Sequence, residues 1–213
     1  DSRTARSLPG RAQRRGFGPL SAYLAAPLWA LQAAIWLAAP KVQEATAPFT
    51  ITKPLLFALF WLSIAGAVAF SAACAAEAPR TIDVLSSRGS WWAKVLGTIA
   101  LWLASAATIA ILAALVPAVQ RLALSFMTNL LNGALLVLAL SLSVSAFISW
   151  RVARVPRSTS ILVSAAAVAT VAMITAILTS GSSSVLGLYA AVAVAALNAG
   201  VWLIWGRTFR GQR

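Results

Sequence analysis

The sequence of 213 residues predicts an all-α, polytopic membrane protein: six transmembrane helices with the N- and C-termini both cytoplasmic. Three observations carry this. Six uncharged stretches, at 17–39, 54–76, 95–117, 128–150, 158–180 and 184–206, each match the roughly 20 residues that a helix needs to cross a hydrocarbon core. A hydrophobic fraction of 61 %, a charged fraction of 10 % and a mean hydropathy of +0.86 leave no polar coat for a soluble globule. Finally, Lys and Arg alternate with these stretches in a way that fixes orientation, because basic residues near span ends are retained in the cytoplasm.

That alternation assigns the elements in order. The arm 1–16 carries Arg3, Arg6, Arg11, Arg14 and Arg15 and forms a basic cytoplasmic or interfacial segment. Pro9, Gly10 and Gly16, with Leu8 the one large apolar residue, argue against an amphipathic helix there. The first span, 17–39, follows a basic region as a signal peptide would, but it is too long for an h-region and is expected to be retained. Because the chain opens on Asp1 without Met, a leader ahead of it is expected. Pro27 removes a backbone hydrogen bond and should bend this span.

The second span, 54–76, carries Ala65, Ala69 and Ala73 on one face, and Cys74 as a small packing residue. A cytoplasmic loop holding Arg80, Arg88 and Lys94 leads into the third span, 95–117. The fourth, 128–150, ends at the cluster Arg151, Arg154 and Arg157, from which the fifth, 158–180, departs. The sixth, 184–206, carries the stripe Ala191, Ala195 and Ala199 and is closed by Arg207, Arg210 and Arg213. Fourteen of the 17 basic residues thus fall on one side, leaving Lys41, Lys53 and Arg121 on the other. Small residues every fourth position let helices approach closely, either inside the six-helix bundle or at a dimer seam.

The composition excludes several functions. A net charge of +13 can mark a nucleic-acid footprint, but here the Arg residues border apolar spans instead of gathering on one face, so no nucleic acid is expected. Anionic lipids are the expected partner of these juxtamembrane charges, at roughly 1 kcal/mol per residue. With no His and a single Cys, the commonest metal ligand and general base are missing and no internal disulfide can form. The four acidic residues, Asp1, Glu44, Glu77 and Asp83, all lie outside the centres of the spans, where a carboxylate would mark a proton pathway. A self-sufficient proton-coupled carrier, pump or intramembrane hydrolase is therefore not expected.

The polar residues within the spans are Gln32, Asn129, Asn132, Ser141, Ser145, Ser149 and Asn198. Gln32, Asn129, Asn132, Ser141, Ser145 and Asn198 are the candidates for lining a substrate route. Ser141, Ser145 and Ser149 share one helix face. Equally, such serines bond the carbonyl four residues back or a neighbouring helix. Asn198 followed by Gly200 marks a possible soft point in the sixth span.

The loop from Glu77 to Lys94 mixes acidic, basic and apolar residues, with Trp91 and Trp92 at interfacial positions. A short helix over Thr81–Leu85 would present Ile82 and Leu85 on one side and Asp83 on another, with Arg88 just beyond. That describes either a docking surface or an ordinary interfacial connection.

Here the chain resembles the membrane subunits of ABC-2-type transporters. In that family the loop after the second span reads as an acidic residue, Thr-Leu-Glu, a Leu-rich turn, Ser or Thr with Pro, and Gly-Lys opening the third span. Glu77, Thr81-Ile82-Asp83, Leu85-Ser86-Ser87 and Lys94 to Gly97 resemble those parts, while Arg88 replaces the Pro and the Gly-Lys order is changed. The resemblance implies half of a translocation pathway in a bacterial plasma membrane, with export the usual direction. It also implies a second permease subunit, the same or a related chain, and a cytoplasmic ATP-binding subunit dimer that docks on Thr81, Ile82, Asp83, Leu85 and Arg88. No Gly-x-x-x-x-Gly-Lys-Ser/Thr loop occurs, so no catalytic, cofactor or metal site is expected in this chain; ATP and Mg belong to the partner. The alternatives are a non-catalytic assembly subunit of a larger membrane complex and a stand-alone facilitator.

Overall fold

The computed structural model describes residues 17–38, 54–81, 88–151, 157–180 and 185–211. These form six helices: α1 (Phe17–Ala38), α2 (Pro54–Thr81), α3 (Arg88–Ala113), α4 (Gln120–Arg151), α5 (Arg157–Ser180) and α6 (Val185–Gly211). Each is long and apolar enough to cross a membrane, and no strand occurs among the described residues. Helices suit such a sequence because in lipid every backbone N–H and C=O must be satisfied within the segment.

Consecutive helices are antiparallel neighbours. Trp29 and Gln32 of α1 meet Ser71 and Ser63 of α2, and Ser141 of α4 meets Ala93 of α3, so later residues of one helix face earlier residues of the next. Five residues join α4 to α5 and four join α5 to α6, too few to return along a helix of 24 or 27 residues. The ring closes where α6 packs on α1, with Gly206 against the ring of Tyr23. A further contact between α2 and α4 leaves α3 on the periphery. The alternation gathers Arg80, Arg88, Lys94, Arg151, Arg157, Arg207 and Arg210 toward one end of the bundle. Arg121 is the one basic residue of the described helices near the opposite end.

The helices extend past the uncharged stretches at several ends. α2 continues through Glu77 to Thr81, and α3 starts at Arg88, so the expected Glu77–Lys94 loop contracts to residues 82–87. α4 starts at Gln120 and includes Arg121, eight residues before the uncharged run. A polar side chain at a helix end reaches the aqueous interface while its backbone stays hydrogen-bonded, so charge does not mark a helix terminus. The third helix ends earlier than expected, at Ala113 instead of residue 117. Pro117 disfavours helical geometry at Val116, and Val119 N–H closes a turn over Pro117–Ala118 onto the Val116 carbonyl at 3.2 Å.

Small residues make the packing possible. The main core joins Ala22, Ala25, Ala26 and Trp29 of α1 to Ala67, Val68 and Ala72 of α2, Leu138 and Leu142 of α4, Val163 and Ala166 of α5, and Ala195 and Trp202 of α6. A second cluster, nearer the α3–α4 turn, packs Phe57 and Ala65 against Ala107, Ile111, Leu124 and Met127. Ala191 and Ala195 of the sixth-span stripe are buried inside the bundle, as is Ala65; Ala69 and Ala199 are half-buried against the same core. Cys74 is buried and unpaired. α1 passes through Pro27 without a break, and Pro27 lies on the exposed side.

Candidate functional site

The six polar candidates do not share one environment. Gln32 is buried, and its Nε2 donates to Ser63 Oγ on α2; Ser63 Oγ in turn donates to the Phe60 carbonyl at 2.7 Å. Gln32 Oε1 has no hydrogen-bond partner, and this buried acceptor is a polar point within the α1–α2 contact. Ser141 is fully buried and donates across to the Ala93 carbonyl of α3 at 2.9 Å. Ser145, one turn on, is buried with its Oγ unpartnered. Asn198 is buried on α6 and donates from Nδ2 to the Val194 carbonyl of its own helix at 2.9 Å. Asn132 is half-buried and Asn129 is exposed on the surface of the chain.

Sequence reasoning missed a buried polar contact between α1 and α2. Trp29 Nε1 donates to Ser71 Oγ at 2.9 Å, with both residues buried. A signal existed: Trp29 and Gln32 lie one turn apart on α1, and Ser63 and Ser71 lie two turns apart on α2, so two donors can meet two hydroxyls along one seam. Trp61 and Trp202 were also passed over; each buries an indole N–H without a partner.

The other candidate site is the connection between α2 and α3. Thr81 is the last residue of α2 and Arg88 the first of α3, while Ile82, Asp83 and Leu85 lie outside the described residues. Its supports are well defined. At Gly97 the two helices come so close that a side chain would collide with the backbone of Ala76. One turn earlier, Ala93 is fully buried and its carbonyl receives the Ser141 hydroxyl from α4. Trp91 and Trp92 are exposed beside it, ring against edge at 4.7 Å. These two contacts tie α2, α3 and α4 together near the basic end of the bundle.

Among the described residues no three of His, Cys, Asp or Glu come together to hold a metal ion. In comparisons with known proteins, no family model, no curated protein and no solved structure matches this chain.

Proposed function

We propose that this chain is a transmembrane permease subunit of an ABC-type exporter, driven by a separate ATP-binding subunit. It forms half of the translocation pathway, with its basic end in the cytoplasm of a bacterial cell and anionic lipids around that end. ATP and Mg are held by the partner. The observation that carries this reading is the braced α2–α3 connection at the basic end. Gly97 against Ala76 and Ser141 on Ala93 join three helices close to Thr81 and Arg88, the helix ends that flank residues 82–87. Closure of an ATPase dimer against that connection moves α2, α3 and α4 as a unit, which is the rigid-body rocking that alternating access needs. The short residue pattern around Thr81–Asp83 supports the same assignment.

The test is co-purification in mild detergent. If Ile82 and Leu85 fill a groove on the ATPase, replacing both with Ser removes contacts worth about 1.5–3 kcal/mol each. Asp83→Lys adds repulsion of about 2–5 kcal/mol if that site is buried. Each change lowers ATPase association at least about tenfold, since about 1.4 kcal/mol is one decade. Membrane insertion survives, because no span is altered. Co-purification of the wild-type chain with a large multi-subunit enzyme and no ATPase points instead to an assembly subunit.

A further inference from the structure

The outward side of α4 changes character along its length. From Leu136 through Leu140 to Phe147 it exposes apolar side chains, as a lipid-facing helix should. Nearer its start the same side carries Arg121, Ser125, Thr128, Asn129 and Asn132, spaced i, i+4, i+7, i+8 and i+11 along one face. Asn132 is half-buried and the other four are exposed. Thr128 Oγ1 donates to the Leu124 carbonyl at 3.0 Å, while Arg121, Ser125, Asn129 and Asn132 have no hydrogen-bond or ion-pair partner among the described residues. The opposite face is apolar and buried, with Leu124, Met127 and Leu131 in the second core cluster.

This polar row is not a helix end standing in water. α3 runs antiparallel beside it: Ser141 bonds Ala93, and Leu103 lies 3.7 Å from where a Cβ on Gly133 would sit. That register sets Ile109 level with Ser125 and Leu112 level with Leu122, and both α3 side chains are exposed. Leu115, Val116 and Val119 in the turn beyond are exposed and apolar as well. α4 therefore turns amides outward at the depth where α3 faces hydrocarbon. An amide left bare in hydrocarbon is costly, and membrane Asn residues ordinarily find a partner on another helix. Water satisfies them if it reaches that depth. There is room for it, because α5 has 24 residues against the 32 of α4 and stops about 12 Å short of its far end.

Charge and shape select the occupant. Arg121 is the one basic residue of the described helices near this end, and Glu77, their one acidic residue, lies at the other. The guanidinium thus faces the crevice uncompensated and suits an oxyanion. Leu122 and Phe126 are exposed beside the row and suit an apolar chain. The row from Arg121 to Asn132 descends about 16 Å, whereas the interfacial layer that holds bilayer headgroups is only about 5–7 Å deep on each side. A polar row of that length fits a head that travels through the membrane, not one that rests at its surface.

We propose that this face of α4 lines a water-filled crevice open at the end opposite the basic clusters, and that the crevice takes an anionic amphiphile, an oxyanion head on an apolar chain, as cargo. Arg121 holds the oxyanion, Ser125, Asn129 and Asn132 offer hydrogen bonds along the descent, and Leu122 and Phe126 pack on the chain. The inference rests on the permease reading above and names its class of cargo.

The test uses the full chain in a Cys74→Ala background, in membranes opened to an impermeant thiol reagent on both sides. Because only the hydrated thiolate reacts, Ser125→Cys, Asn129→Cys and Asn132→Cys should label at least about tenfold faster than Ile109→Cys and Leu112→Cys at the same depth. Equal rates would overturn the crevice. In phosphatidylcholine vesicles, dodecyl phosphate should slow labelling of Asn132→Cys, and dodecyltrimethylammonium should not. Adding Arg121→Gln should raise the dodecyl phosphate concentration needed by about tenfold, with Arg121→Lys close to wild type. Equal slowing by both amphiphiles, or no change in Arg121→Gln, would overturn the oxyanion site. Equal slowing by inorganic phosphate would remove the need for an apolar chain. Slowing by phosphatidylglycerol in the bilayer, with none by dodecyl phosphate, would make the face a surface lipid site and overturn the cargo. Failure of labelling or protection with ATPase association intact condemns the crevice alone; protection intact without any ATPase association condemns the permease reading alone.

Discussion

Gly97 of α3 and Ala76 of α2 make the closest glycine contact among the described residues: a Cβ on Gly97 would lie 2.7 Å from the Ala76 nitrogen and 2.9 Å from its Cα. The atoms in the way are backbone, which cannot rotate aside as a side chain does. Gly97→Ala should therefore push α2 and α3 apart. Overpacking of this kind costs about 1–3 kcal/mol, against a gain in helix propensity of up to about 1 kcal/mol. Thermal unfolding in mild detergent is expected to show a net loss for Gly97→Ala and loss of any coupled transport.

Gly200→Ala supplies the contrast. No atom lies within 4 Å of a Cβ at that position of α6, so only the propensity gain of up to about 1 kcal/mol remains. The variant should melt at or above the wild-type temperature. If Gly97→Ala and Gly200→Ala melt alike, the backbones of α2 and α3 are not in close contact at Gly97.

Ser141 and Ser145 share a helix face but should respond differently. Ser141→Ala removes the bond to the Ala93 carbonyl between α4 and α3, which for polar contacts within membranes costs about 0.6 kcal/mol and up to about 1.7. Ser145→Ala removes a buried hydroxyl that has no partner and is expected to be neutral or stabilising. If the hydroxyl of Ser145 serves cargo, transport falls in Ser145→Ala while the melting temperature holds.

Trp29 and Ser71 should be energetically coupled. A double-mutant cycle of Trp29→Phe and Ser71→Ala is expected to return an interaction of about 0.6 kcal/mol, the usual size for a hydrogen bond between membrane helices. Strict additivity would mean that this bond contributes nothing to holding α1 on α2.

Much of this architecture was legible in the sequence because a bilayer imposes a length. Four basic clusters that bracket three pairs of span-length uncharged runs admit little besides six helices. The ends were less legible, since they were read from charge: Glu77, Lys94 and Arg121 all lie within helices, where interfacial side chains reach water without breaking the backbone ladder. Pro117 was available as a stop signal but lay inside an uncharged run. Apart from the α1–α2 seam of Trp29, Gln32, Ser63 and Ser71, pairings were not legible. Ser141 and Ala93 are 48 residues apart, and their contact depends on how α3 and α4 are rotated about their axes, a quantity that uniformly apolar helices do not write into their hydropathy. For the same reason Gly97 read only as part of a short pattern until Ala76 was seen against it. Of the connection between α2 and α3, its two ends and its bracing are described, whereas the docking role of Ile82, Asp83 and Leu85 is proposed from sequence.

Labelling with an impermeant thiol reagent in intact cells measures directly whether the chain crosses six times with its basic end in the cytoplasm. In a Cys74→Ala background, cysteines at Ser87 and Ser158, at the basic end, should be shielded until the membrane is opened. Cysteines at Thr46, Ala118 and Ser183 should react from outside. Labelling of Ser87 and Ser158 in intact cells, with Thr46, Ala118 and Ser183 shielded, would invert the protein and remove any cytoplasmic ATPase from the α2–α3 connection; labelling of only one of Ser87 and Ser158 would contradict the six crossings themselves.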